Sequence, residues 1–256
     1  MPTHASSSGS DAPVPDRLKR FEILLGAEGV ESLSRATIAV VGLGGVGSWA
    51  AEALARSGVG TVILVDGDKY CATDLNRQLF CTTETLGLPK VTAAERRLHL
   101  IAPGIRVKAV EAFLDESNIK LVLSLRPTVV VDAIDRLDGK IPLLAGCVKA
   151  GIAVVSSMGA GGRIDPTRIE TADVFSSAGC PLARTVRRSL KAIGITQGIT
   201  AVFSREEPVA PLQSGQGKAI QGSAVWVTAA FGLAAAGAAI TLALADLGPR
   251  SSENTA

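Results

Sequence analysis

The sequence predicts an α/β fold: a Rossmann-like, doubly wound, mostly parallel sheet, with additional antiparallel strands towards the C terminus and a closing apolar helix. Two observations carry this. Short runs that are apolar throughout, such as ATIAVVG (36–42) and TVILVDGD (61–68), alternate with helical segments. Only strands covered on both faces read that way. The stretch VVGLGGVGSWAAEAL (40–54) then passes from apolar strand through a glycine turn into a helix, the form of a dinucleotide-binding unit. Residues 1–16 are rich in Ser, Pro, Asp and Ala and read as a disordered tail; 17–248 read as one domain and 249–256 as a disordered C terminus.

The elements follow in order. Apolar residues at Ile23, Leu24, Leu25, Val30 and Leu33 predict short helices over 17–34. Strand 36–42 leads to a helix over 48–58, stopped by Gly58, and then to strand 61–68. Residues 88–104 are helical, with Pro89 near the start and APG at the end; IRVKAVEAF (105–113) alternates and reads as a strand. A helix (116–127), a strand (128–135), a helix (139–151) and a strand (152–162) complete the repeat. After Gly162 the pattern loosens. Residues 165–175 and 199–208 read as later, antiparallel strands, Ala183 to Ile193 as a basic helix, and 213–222 as a loop. The stretch 223–247 is long enough to span a membrane. It is mostly Ala and Gly without aromatic or basic anchors, so a helix buried in a core or subunit interface is the expectation, although length alone leaves membrane association open.

Bulk properties exclude little. With 26 basic against 24 acidic residues, only a local basic patch could favour RNA. The four cysteines, Cys71, Cys81, Cys147 and Cys180, form no C-x-x-C pair, which argues against a zinc tetrad. Residues 1–20 lack the apolar segment of a signal peptide, and a cytoplasmic setting is expected.

Gly42, Gly44 and Gly47 satisfy G-x-G-x-x-G. Gly42 permits the tight turn, Gly44 lets the backbone approach a phosphate, and Gly47 lets the helix pack on the strand. Asp66, at the end of the next strand, stands at the distance expected of a ribose hydroxyl acceptor. On the fingerprint alone, a nicotinamide oxidoreductase is the ordinary reading. The residues that follow weigh against it. Hydride transfer needs a proton donor, yet His4 lies in the tail and His99 sits among Leu98, Leu100 and Ile101, as a packing or surface residue would. Arg77, Lys90, Asp132 and Asp135 fall at strand ends and helix starts, where a doubly wound sheet addresses its ligand. Splitting ATP between its α and β phosphates requires positioned cations and a carboxylate for Mg²⁺.

The motifs GLGGVGS, VDGDKYCATDLNRQ, GLPKV and VVDAID, in that order, resemble those of the ubiquitin-activating-enzyme-like adenylating enzymes. Further matches at SMGAGGRIDPT, ADVFSSAGCPLARTVRRSLKAIGI, VFSREEP and GSAVWVTAAFGLAAAGAAI resemble the tRNA threonylcarbamoyladenosine dehydratases. The resemblance implies that Gly42, Gly44, Gly45 and Gly47 form the phosphate loop, that Asp66, with Asp68 beside it, binds the nucleotide, that Arg77 and Lys90 contact phosphates, and that Asp135 binds Mg²⁺. It implies that Arg20 is lent to a partner subunit's ATP, so that a homodimer is the catalytic unit. The implied substrate is tRNA bearing threonylcarbamoyladenosine, dehydrated through a carboxyl-adenylate, and a sulfur-relay partner protein remains open.

Asp74 stands where the family more often has asparagine, and must either point away from the phosphates or be compensated. Cys180 could be a nucleophile but reads more readily as a buried or loop thiol, with no histidine nearby in sequence. Arg163 is either a ligand to the substrate carboxylate or a phosphate, or a surface charge. Arg184, Arg187, Arg188 and Lys191 share a helix face that is either an RNA-phosphate stripe or a solvated surface. Alternatives are adenylation of the C-terminal glycine of a ubiquitin-like sulfur carrier, a nicotinamide oxidoreductase, and a nucleotide-sensing or membrane-associated scaffold without catalysis.

Overall fold

The computed structural model describes residues 14–213 and 219–245. The predicted disorder of residues 1–13 and 249–256, and the middle of the predicted loop 213–222, lie outside the described residues. The chain opens with α1 (Lys19–Arg35), broken at Gly26, whose φ of 75° ends one short helix and starts the next. The expected short helices are therefore present.

A strand–helix alternation follows: β1 (Thr37–Val41), α2 (Gly47–Arg56), β2 (Thr61–Val65), α3 (Lys90–Ile101), β3 (Arg106–Val110), α4 (Lys120–Leu123), β4 (Val129–Asp132), α5 (Leu137–Ala150) and β5 (Ala153–Ser157). Then come β6 (Ile169–Asp173), α6 (Pro181–Ala192), β7 (Thr200–Ser204), the two-residue strands β8 (Leu212–Gln213) and β9 (Ala219–Ile220), and α7 (Val225–Ala243). The main sheet has the order β3-β2-β1-β4-β5-β7-β6. The order reverses between β1 and β4, which opens a crevice at their carboxyl ends.

The two later strands pair antiparallel with each other, as expected; β7 also runs parallel to β5 and is inserted between β5 and β6. The burial pattern gives the reason. β7 is buried at Ala201 to Ser204 and needs a neighbour on each side, whereas β6 is only partly buried and suits the sheet edge. Residues 213 and 219–220, read as loop, include a short antiparallel pairing, Leu212 with Ile220 and Gln213 with Ala219.

Side chains alternate between two cores, as period 2 requires. Ile38 and Val40 pack with Leu54, Leu98 and Phe231 on the side of α2, α3 and α7. Ala39 and Val41 pack with Leu143, Val186 and Leu190 on the side of α5 and α6. Helix α7 has 19 residues and a mean hydropathy of 1.8, long and apolar enough to cross a membrane by length and composition. In the fold Phe231, Ala235 and Ala239 bury one face completely. A Cβ on Gly232 would lie 2.4 Å from the Val46 carbonyl oxygen, so glycine is what lets α7 close on the start of α2. The opposite face is open: Trp226 and Leu233 are 54% and 52% exposed.

Candidate active site

A cavity of about 540 Å³ opens at the carboxyl ends of the central strands. Its floor is the turn between β1 and α2. Gly42 has a φ of 89° and its backbone lies against Ala133, where a Cβ would come within 2.7 Å of the carbonyl oxygen. A Cβ on Gly47 would overlap the Gly42 carbonyl at 1.7 Å. Both positions are closed to other residues. Gly44 differs: only Gln78 Nε2 lies within reach, at 3.9 Å, so this glycine faces open space on the cavity wall. Gly45 packs against Thr228 of α7 and the Arg77 side chain. The N-terminal turn of α2, whose first amide groups lack partners within the helix, thus begins at the cavity.

Asp66 follows β2 directly and lines the cavity. Its Oδ2 accepts from the Leu43 amide at 2.6 Å and its Oδ1 from the Asp68 amide at 2.8 Å. Each carboxylate oxygen retains acceptor capacity for a further donor. Burial lifts its pKa above the ordinary carboxylate value, opposed in part by the Lys90 charge and by those two amides. Lys90, the first residue of α3, is 6% exposed. Its ammonium sits 3.2 Å from Asp68 Oδ2 and over the Tyr70 ring.

Arg77 reaches the cavity from the segment after Asp74. Its Nη1 donates to the Thr73 carbonyl at 2.8 Å and to Asn76 Oδ1 at 3.0 Å, and its Nη2 lies 3.6 Å from Asp74 Oδ1. Asp135 lines the opposite wall, after β4. It is exposed and makes no hydrogen bond or salt bridge with the described residues. Gly42, Gly44, Gly45, Asp66, Asp68, Arg77, Lys90 and Asp135 therefore line one cavity, while Gly47 stands behind its floor. Arg20 does not join them; it is exposed on α1.

Asp74 does line the cavity, and it is compensated: it accepts from Gln78 Nε2 and the Cys71 amide, with the Arg77 guanidinium adjacent. Arg163 is not a surface charge, and it does not line the cavity. It is 3% exposed and donates to the carbonyls of Gly159, Gly161 and Glu206, clamping the glycine loop that roofs the cavity. Cys180 is buried at the start of α6. His99 is exposed on α3, and Asp132 is buried beneath the cavity, paired with Lys140. On α6, Arg184, Arg188 and Lys191 are exposed, but Arg187 is turned inward, donating to the Ser177 carbonyl at 2.9 Å and to its hydroxyl at 2.5 Å. The four-residue stripe is thus reduced to three.

Sequence reasoning missed Phe113, whose half-exposed ring covers Gly67 at the cavity mouth, with the Arg136 guanidinium 5.5 Å from the ring centroid. It also missed Thr228, because a threonine in an alanine-rich helix carries no signal of what the helix covers.

The ThiF family model matches residues 16–255 of the chain. The tRNA threonylcarbamoyladenosine dehydratase of Bacillus subtilis is 42% identical over 193 residues, spanning 75% of this chain and 76% of that protein. The enzyme of the same name from Escherichia coli is 37% identical over 234 residues, 83% of this chain and 87% of that protein. The crystal structure of the E. coli enzyme, TcdA, in complex with ATP matches with a TM-score of 0.85 at 35% identity, covering 94% of this chain and 100% of that one.

Proposed function

The chain belongs to the ThiF family and groups there with the tRNA threonylcarbamoyladenosine dehydratases, and on that footing we propose that it cyclises N6-threonylcarbamoyladenosine in the tRNA anticodon loop at the expense of ATP. The carrying observation is the convergence of Gly44, Asp66, Arg77, Lys90 and Asp135 on one cavity at the switch point of the sheet.

The chemistry follows from a leaving-group problem. The threonyl carboxylate cannot expel hydroxide. It attacks the α-phosphorus of ATP instead, pyrophosphate departs, and the acyl-adenylate carries AMP as a competent leaving group. The carbamoyl group of the same molecule then attacks the acyl carbon and AMP leaves, with net loss of water. Ring closure is intramolecular, so its effective molarity is high without a catalytic histidine.

Gly44 gives the phosphates close access to the backbone at the start of α2. Asp66 accepts a ribose hydroxyl. Lys90 and Arg77 stabilise charge on the phosphate oxygens as the α–β bond breaks. Both are held by short-range partners, Lys90 by Asp68 and Arg77 by Thr73 and Asn76, so little reorganisation is needed when the phosphates arrive. Asp135 suits Mg²⁺: it is an oxygen donor without a competing hydrogen bond, and a single carboxylate is enough where phosphates complete the shell. Mg²⁺ would neutralise the departing pyrophosphate. The glycine loop clamped by Arg163 would help to keep out water, which would waste the adenylate.

Arg20 fits a role in a homodimer. It lies outside the cavity, on a helix that also exposes Ile23 and Leu24, and the outer face of α7 exposes Trp226 and Leu233. Arg184, Arg188 and Lys191 lead away from the cavity along α6, whose Leu182 lines it, and supply a stripe for tRNA phosphates. No sulfur atom enters the product, so this chemistry needs no sulfur-relay partner. A cytoplasmic setting goes with a tRNA substrate.

The test mixes purified protein, ATP, Mg²⁺ and modified tRNA, and follows AMP and nucleoside mass. A nucleoside lighter by one water, formed with AMP, is the expected result. AMP formed only with a ubiquitin-like sulfur carrier would replace this reading with the carrier-adenylation one.

A further inference from the structure

Behind the cavity wall lies an ion pair that the proposed chemistry does not use. Lys140 on α5 and Asp132 at the end of β4 are both completely buried, with Nζ 2.6 Å from Oδ2. Ser156, which faces Asp132 across the β4–β5 register, donates its hydroxyl to the same oxygen at 2.6 Å. The Lys140 ammonium also donates to the Ile134 carbonyl at 2.8 Å, and the Ile134 amide donates to Asp132 Oδ1 at 3.1 Å. The turn from Asp132 to Asp135 is tied from within, and its last three residues line the cavity.

A buried ion pair is a poor device for stability alone, since well-packed apolar residues commonly do as well. Here the geometry achieves something an apolar pair would not. Every hydrogen bond of the Lys140 ammonium goes to the short segment that carries Asp135. Lys140 is itself anchored, because α5 is pressed onto the segment after β3: a Cβ on Gly139 would lie 2.4 Å from the Leu114 carbonyl oxygen. Leu114 lines the cavity as well, so the clamp joins two of its walls.

We infer that Lys140 is a positioning residue: by neutralising Asp132 while holding the Ile134 carbonyl, it sets where the Asp135 carboxylate stands in the cavity. This rests on the reading of Asp135 as the acid that meets Mg²⁺·ATP.

The experiment compares the wild type with Lys140→Met, Asp135→Asn and their double variant. One readout is hydrogen exchange over residues 133–136. The other is calorimetric ATP affinity with and without Mg²⁺. Lys140→Met is expected to speed exchange in that turn, leave metal-free ATP affinity unchanged, and reduce the affinity gained from Mg²⁺ about 10- to 100-fold, the usual effect of losing a partner behind a metal ligand. The double variant is expected to lose no more than Asp135→Asn alone. Wild-type exchange and a full Mg²⁺ gain in a folded Lys140→Met protein would overturn the inference, as would losses that add in the double variant. Should the unpaired Asp132 prevent folding, Asp132→Asn combined with Lys140→Met removes both charges and carries the same expectations. A full Mg²⁺ gain in Asp135→Asn would instead overturn the metal role of Asp135, while exchange would still decide whether Lys140 holds the turn.

Discussion

Gln78 donates from Nε2 to Asp74 Oδ1 at 2.6 Å, and both residues are buried beside the phosphate turn. Asp74 also accepts from the Cys71 amide, so the carboxylate organises the segment that delivers Arg77. Because a carboxylate only accepts, it fixes the Gln78 amide with its NH₂ towards Asp74 and leaves the buried Gln78 Oε1 without a partner among the described residues. Asparagine at 74 could still accept from the Cys71 amide while donating to a flipped Gln78, and it would remove a negative charge from the cavity wall. Asp74→Asn is therefore expected to retain wild-type melting temperature and to lower KM for ATP. Asp74→Ala, which strands buried donors, is expected to cost about 1–3 kcal/mol in denaturant unfolding. A higher KM in Asp74→Asn would show that the charge has a positive role.

Asp66 supplies a pH dependence. Burial raises its pKa, so the folded chain binds this proton at a higher pH than the unfolded chain does. The sign is opposite to that of a salt-bridged acid. The desolvation penalty weakens the fold above the folded-state pKa and is relieved as pH falls through it. Ribose binding runs the other way, since the ionised carboxylate is the better acceptor. KM for ATP is expected to rise as pH is lowered into the acidic range, while stability lost through this residue is recovered. Asp66→Asn should raise KM at neutral pH and flatten its pH dependence. A wild-type KM that stays constant on acidification would exclude the ribose role.

The fold and the floor of the site were legible because they rest on local signals. Fully apolar strands announce a sheet covered on both faces, and Gly42 and Gly47 are demanded by backbone geometry within six residues of chain. What long-range packing decides was not legible. The place of β7, parallel to β5 and between it and β6, depends on which strands it must lie between. Arg163 reads as any arginine in a loop until the Glu206 carbonyl, distant in sequence, accepts from it. Arg187 shares its helical spacing with Arg184 and Arg188, and only Ser177 distinguishes it. The four-residue motif DAID showed two acids without showing that one is consumed by Lys140 and the other left open.

That difference along α6 separates the proposed RNA contacts from structural ones. Arg184 and Arg188 are exposed one turn apart, whereas Arg187 ties the helix to Ser177. Replacing Arg184 and Arg188 with Glu is expected to weaken tRNA binding and reduce its salt dependence, with ATP affinity unchanged. Arg187→Ala is expected to lower stability by about 1.5–3 kcal/mol, the scale of a lost hydrogen bond to a charged group, and to change tRNA binding little. Filter binding over a salt series, set beside thermal unfolding, makes the comparison. Unchanged tRNA affinity in the Arg184/Arg188 variant at moderate salt would remove α6 from the RNA interface.

Arg20 and Lys90 sit on opposite sides of the question of what completes the site. Lys90 is buried at the cavity wall, while Arg20 is exposed on α1 and lines no part of the cavity. If Arg20 serves the neighbouring subunit, each site draws Lys90 from one chain and Arg20 from the other. Arg20→Ala and Lys90→Ala proteins are then each expected to be nearly inactive alone. Mixed under conditions that allow exchange, they form heterodimers in which one site is intact. Activity should return to about a quarter of the wild type for random pairing in a two-fold dimer. A double variant carrying both changes on one chain, mixed with the wild type, supplies the control: its heterodimers contain no intact site, because each site then lacks one of the two residues. Recovery in the first mixture, together with loss in the second, would establish a shared site. Absence of recovery, in a mixture shown by native mass spectrometry to contain heterodimers, would place the function of Arg20 within its own chain.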